Sequence, residues 1–171
     1  MRQIPETHQK LHEAFLFYQD LSRLANEIVT DPKVFVSYLS AFLSASRTVV
    51  DHFVKGQGPW YSNWTKNIDS EEYDLLDFMR KHRNAQVHRT KKGAMVDVEV
   101  EMVPLIETVR GGFGNRSRIQ SWGPPGSDPP KVGRNVFYLR LGNRKELATD
   151  VCQRYLDVLN KLVSDFDASH P

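Results

Sequence analysis

The spacing at which apolar residues recur changes twice along this chain, and that change limits the fold more than any other feature. Leu11, Phe15, Tyr18, Leu21, Ala25 and Ile28 recur every third or fourth residue, the spacing that lines one face of a helix. It predicts a first helix over residues 6–29 with that face in the core. Thr30-Asp31-Pro32 supplies a capping side chain and then a proline at the first helical position. A second helix is therefore expected from there to about Lys55, with Phe35, Leu39, Phe42, Val49 and Phe53 turned inward. Between those residues Ser37, Ser40, Ser44, Arg47 and Asp51 form a polar stripe on the same helix, either the wall of a cleft or a water-facing side. Gly56-Gln57-Gly58-Pro59 ends it, and Trp60-Tyr61-Ser62-Asn63-Trp64 reads as a loop whose aromatics cover the edge of the core or, in the alternative, receive stacked bases. Ser70, with Glu71 and Glu72 behind it, starts a third helix whose stripe of Tyr73, Leu76, Met79 and Val87 runs on to near Gly93.

The period then drops to two. Val96, Val98, Val100 and Met102 alternate with Asp97, Glu99 and Glu101, as in a strand with one face on the core and one in water. Val136-Phe137-Tyr138-Leu139-Arg140-Leu141 is the expected partner strand, joined to the first by a long Gly/Pro-rich loop over residues 111–133. The glycines there are not a dinucleotide signature, because no strand-helix-strand unit surrounds them. Asn143-Arg144-Lys145-Glu146 reads as a capping box for a final helix carrying Leu147, Val151, Tyr155, Val158, Leu162 and Phe166 to about Asp167. The expected architecture is mainly α: one domain over 1–171, a four-helix up-and-down bundle with a β-hairpin and basic loop, residues 93–143, inserted between helices 3 and 4.

Formal net charge is only +2, yet it is unevenly distributed along the chain. Residues 80–92 hold Arg80, Lys81, Arg83, Arg89, Lys91 and Lys92 without an acid, a block of +6. Residues 110–145 hold eight basic residues, Arg116 and Arg118 among them, against Asp128, a block of +7, which leaves −11 for the rest. Local positive density of this kind suits a polyanion such as RNA, since phosphate contacts respond to nearby charge rather than to overall pI. The competing reading of the loop block is plain solvated charge.

The first of these blocks contains Arg83-Asn84-Ala85-Gln86-Val87-His88. Arginine presents a permanent, planar donor fork to phosphate, and histidine takes and returns a proton near neutral pH. RNA carries its own nucleophile in the 2′-hydroxyl, so a base and a cation suffice for cleavage without a metal or other cofactor. Arg83-Asn84-x-x-x-His88 resembles the Arg-Asn-x-x-x-His signature of HEPN domains, small helical bundles that include RNA-cleaving toxins and defence ribonucleases. The resemblance covers the helical framework, residues 6–92 and 143–167, and leaves the hairpin outside. It implies that Arg83 contacts the scissile phosphate, that His88 acts as general base or acid, and that Asn84 orients one or the other. It further implies a metal-independent endoribonuclease working across a homodimer cleft, a toxin or phage-defence component with an antitoxin as partner. The alternatives are a catalytically silent helical module of the same type that binds a protein or nucleic acid, and an unrelated helical bundle whose hairpin mediates assembly. Five residues of regular helix turn roughly 500°, which sets Arg83 and His88 about 140° apart while Asn84 and His88 share a face. The nucleotidylated branch of the family has a tyrosine two residues after the histidine; here Thr90 stands there, against regulation at that position.

Arg47, Asp51, Arg80, Arg89, Lys91, Lys92, Arg116 and Arg118 complete the candidate substrate-binding set, with no metal ligands assigned. His8 and His12 share a helical face but lack a visible third ligand, and read as a solvated pair. Asp51 and His52 are adjacent on a helix and so do not face one another. The lone Cys152 falls in an apolar helical pattern and reads as buried filler. No apolar run approaches the roughly 18 residues that a span requires, and Met1-Arg2-Gln3-Ile4-Pro5-Glu6 lacks the apolar core of a secretory signal. The expectation is a cytoplasmic protein without membrane partners.

Overall fold

The computed structural model describes residues 5–27, 30–87, 96–104, 131–141 and 143–170, with side chains at all of these except 5, 82–87 and 104. Among the described residues the fold is mainly helical with one small antiparallel sheet. The order is α1 (Pro5–Asn26), α2 (Pro32–Gly56), α3 (Gly58–Asn67), α4 (Ser70–Val87), β1 (Val96–Pro104), β2 (Lys131–Leu141), β3 (Arg144–Leu147) and α5 (Ala148–Ser169). No helix among these residues is long and apolar enough to cross a membrane.

Helix α2 begins as its sequence dictates. The Asp31 carboxylate accepts the Lys33 N–H at 2.8 Å, and Pro32 occupies the first turn, where its missing N–H has no intrahelical acceptor to lose. Phe35, Leu39, Phe42, Val49 and Phe53 are all buried. The helix packs most extensively on α1 and also touches α3, α4 and α5.

Helix α1 turns Leu21 fully inward and packs Leu11, Tyr18 and Ala25 against the core, as expected, and departs from the expected face at Phe15. Its deepest residues are Thr7, Ala14 and Leu21, with Leu24, whereas Phe15 is exposed. Two small side chains seven residues apart, Thr7 and Ala14, let α1 lie close along α2, so that Ala14 takes the inward place that the sequence stripe gave to Phe15.

A short helix, α3, replaces the expected loop. Gln57 closes α2 by donating its N–H to the Phe53 carbonyl at 2.8 Å and opens α3 by accepting from the Tyr61 N–H at 2.9 Å. Pro59, taken from sequence as a breaker, sits in the first turn of the new helix, where its fixed φ is suited. The aromatics do cover the core: Trp64 is buried, with its indole N–H on Asp165 at 2.9 Å, and Trp60 packs edge-on against Phe166.

Helix α4 starts at Ser70, but its cap is one residue earlier. Asp69 accepts the Glu71 N–H at 2.7 Å while Glu72 accepts the Asp69 N–H at 3.2 Å, a reciprocal capping box. Leu75, Leu76 and Met79 are its buried residues with described side chains, and Tyr73, expected on the apolar stripe, is half exposed. Residues 88–95 lie outside the described set.

The sheet has three strands in the order β1-β2-β3, not a two-stranded hairpin. Glu101 pairs with Arg134 and Pro104 with Lys131, so β2 begins five residues before the apolar run that signals it. Residues 105–130, most of the expected loop, fall outside the described residues. The predicted capping box at 143–146 is instead the third strand: Leu141 faces Arg144, Tyr138 faces Leu147, and α5 follows with no side-chain cap. The open edge of β2 supplies hydrogen bonds to this stretch, and Glu146 pairs with Arg144 and Arg154 rather than with a helix terminus.

The inner face of β1 reaches the core only at Val96. Val98, Val100 and Met102 are exposed, contrary to the alternation's simple reading, because the helices extend under β2 only to Phe137, stacked on Phe35 at 3.8 Å, and Asn135, which donates to the Thr30 carbonyl at 2.8 Å. Opposite Met102 stands Gly133; a Cβ there would meet Val100 Cγ1 at 2.8 Å, so a larger residue displaces the valine.

The Phe35–Phe137 stack joins the sheet to the bundle, and both rings are buried. Phe35→Ala or Phe137→Ala is expected to lower unfolding free energy by roughly 3–5 kcal/mol. Val100→Thr, on the exposed part of the same sheet, should change it by no more than about 0.5 kcal/mol. Urea denaturation of the three variants checks this.

Candidate functional site

Two of the cations singled out from sequence meet in one cleft. Arg47 comes from α2, Arg80 from α4, Tyr61 and Thr65 from α3, and Tyr155 from α5; together with Tyr73 and Asp77 they line a cavity of about 140 Å³. The floor is apolar, with Val50 and Leu76 between the polar groups. Helical spacing places the cations: α2 is enclosed by its neighbours on its apolar stripe, and Arg47 lies on the polar stripe that emerges toward α3 and α4.

Each guanidinium is held by a carboxylate on its own helix. Arg47 Nε meets Asp51 Oδ1 at 2.7 Å, both side chains about one-quarter to one-third exposed. Arg80 Nη2 meets Asp77 Oδ1 at 2.6 Å, and Lys81 binds the other oxygen of Asp77. Hydrogen bonds from Lys81 and then Arg80 hold the Asp77 carboxyl below its ordinary value of 3.8, against an opposing push from desolvation. Asp51 therefore serves Arg47 and does not touch His52, whose Nδ1 lies 2.9 Å from Thr7 Oγ1.

Burial raises the phenols above the ordinary 10.0. For Tyr61 desolvation is the largest cause, and the nearby positive charges of Arg47 and Arg80 oppose it. For Tyr155 desolvation again dominates, with Tyr61 reinforcing it. Sequence reasoning placed Tyr73 and Tyr155 on core stripes and missed their part in the cleft, along with Tyr61, Thr65 and Asp77. The available signal was the hydroxyl: a tyrosine where phenylalanine would pack equally well needs somewhere polar to end.

The remaining sequence candidates are placed as follows. Arg83 and Asn84 belong to the last two turns of α4, where the backbone alone is described. His88, Arg89, Lys91, Lys92, Arg116 and Arg118 lie outside the described residues. His8 is 3.3 Å from Asp167 at the surface, and among the described residues no group of three or more His, Cys, Asp or Glu comes together as a metal site. Cys152 is fully buried and its thiol is pushed far above 9.0 by desolvation, as befits packing rather than nucleophilic chemistry.

The uneven charge of the sequence is partly cancelled in space. Arg134 pairs with Glu101 at 2.8 Å, Arg140 with Asp97 at 2.6 Å, and Lys145 with Glu99, so acids of β1 face bases of β2 and β3. No family model, curated protein or solved structure matches the chain.

Because both phenols keep their protons longer in the folded state than in the unfolded chain, their contribution to stability is complete below about pH 10 and is lost as pH rises through the folded-state values. Unfolding free energy should fall steeply above about pH 10, and Tyr155→Phe should flatten that fall. Urea midpoints across alkaline pH measure it; an unchanged slope in the variant would count against the assignment.

Proposed function

We propose that this chain is a HEPN-type, metal-independent endoribonuclease that works in the cytoplasm as a homodimer, a toxin or phage-defence component restrained by an antitoxin. In this reading α1, α2, α4 and α5 are the four helices of an up-and-down bundle, α3 elaborates one connection, and the sheet is an insertion between the last two. The observation that carries it is the position of the Arg-Asn-x-x-x-His motif. Arg83 and Asn84 fall in the last turns of α4, three and four residues beyond Arg80, which already shares a cleft with Arg47 of α2.

The chemistry follows from the residue types. The guanidinium of Arg83 holds the scissile phosphate and balances charge that develops on it. The imidazole of His88 takes the proton of the 2′-hydroxyl or returns one to the departing 5′-oxygen, and Asn84 orients the imidazole or the phosphate. The nucleophile belongs to the RNA, so the reading needs no cofactor. Arg80, Arg89, Lys91 and Lys92 follow the strand beside the motif, Arg116 and Arg118 hold it from the insertion, and Arg47 with Asp51 supports the pocket.

A second reading, a catalytically silent module of the same type that binds a protein or nucleic acid, is favoured by one observation: the cross-strand ion pairs of the sheet neutralise much of the basic insertion. Incubation with structured RNA in the presence of a chelator separates the two. Cleavage is expected, reduced by about 100-fold or more in His88→Ala and Arg83→Ala. Equal cleavage in wild type and both variants overturns the assignment, and salt-sensitive binding without cleavage establishes the silent module.

A further inference from the structure

The cleft between α2, α3, α4 and α5 gathers hydrogen-bond donors from four helices. Tyr155 is only 2% exposed and lines the cleft, with its ring edge-on to Phe42. Tyr61, also in the lining, is half-buried. A phenol with a deeply buried ring needs a polar place for its hydroxyl, and the cleft that both tyrosines line is where an acceptor from solvent can meet them.

The charged groups narrow its chemistry. Arg47 engages Asp51 through Nε, which leaves its two terminal nitrogens as donors. Arg80 shares Asp77 with Lys81, so that carboxylate is already saturated by two cations. The polar surface is accordingly rich in donors: two guanidiniums and two phenols, with Asp51 and Asp77 fixing the guanidiniums. Size narrows it further, because about 140 Å³ is well below the roughly 300–1,000 Å³ of a site that encloses a whole drug-sized ligand. The enclosed group is therefore a small oxyanion. At the rim, Tyr73 presents a half-exposed ring, the kind of platform on which a nucleobase stacks.

We propose that this cleft is a phosphate-binding subsite for a nucleotide, in which Arg47 and Arg80 grip the phosphoryl group, the Tyr155 and Tyr61 hydroxyls donate to its oxygens, and Tyr73 carries the base outside. Within the ribonuclease reading the subsite would hold a phosphate next to the one cleaved, one helical turn from Asn84, but its existence does not depend on cleavage.

The test is calorimetric titration of the full chain at low salt with AMP, inorganic phosphate, adenosine and a short oligoribonucleotide lacking terminal phosphates. AMP should bind and adenosine should not. Arg47→Gln and Arg80→Gln should each weaken AMP binding by about tenfold or more. Tyr155→Phe, which keeps the buried ring and hence the fold, should weaken it by roughly fivefold to tenfold. Competition by the oligonucleotide identifies a backbone phosphodiester as the natural ligand; its failure to compete, with AMP still bound, identifies a terminal phosphate. Adenosine binding equal to AMP, or AMP binding unchanged in both Arg47→Gln and Tyr155→Phe, overturns the proposal. Phosphate-dependent binding without RNA cleavage would leave this subsite standing and remove the ribonuclease, and cleavage without AMP binding would do the reverse.

Discussion

Enclosure of α2 is the constraint on which the rest of this structure depends. Nine of its residues are buried, and α1, α3, α4 and α5 all pack on it. A helix surrounded in this way cannot rotate without exposing phenylalanines at one side and burying Arg47 at the other. Its N-terminal end carries Phe35, to which the sheet is attached through Phe137. Its middle carries Arg47 into the cleft, and its C-terminal end hands the chain to α3 through Gln57. The position of the cleft is thus a consequence of core packing, not of the polar residues that line it.

Electrostatics then acts locally. The acids of β1 are matched against cations of β2 and β3, and Asp51 and Asp77 are matched against Arg47 and Arg80. Pairs of this kind at a surface stabilise little, about 0–1 kcal/mol each. Their effect is on shape and field: they hold long side chains in one orientation and lower the net potential of the sheet. In the cleft the same arrangement sets two guanidiniums beside phenols whose protons burial retains.

Helix α4 links that cleft to the Arg83-Asn84-x-x-x-His88 motif. Its N-terminal half is anchored by a capping box and by Glu72, which receives Lys161 of α5 at 2.7 Å. Its middle is anchored by Leu75, Leu76 and Met79 in the core. Arg80, the next residue, lines the cleft, and the motif begins three residues further on.

Sequence by itself determined the helical character, the inward residues of α2, those of α5 from Val151 to Phe166, the cap of α2 and the switch to strands at Val96, because each depends on spacing or on side-chain chemistry within a few residues; Leu147, expected on the same inward face, is instead an exposed residue of β3. It also singled out Arg47, Asp51 and Arg80 and the motif on the third long helix. Tertiary structure decided what depends on distant partners. The close approach of α1 turned Ala14 inward and Phe15 outward, the free edge of β2 converted a capping box into a third strand, and a helix after Pro59 took the place of a loop. It alone brought Tyr61, Tyr73 and Tyr155, from three separate helices, around two arginines. No local pattern encodes that meeting, since it arises only when the core closes and the polar ends of buried residues have one direction left in which to point.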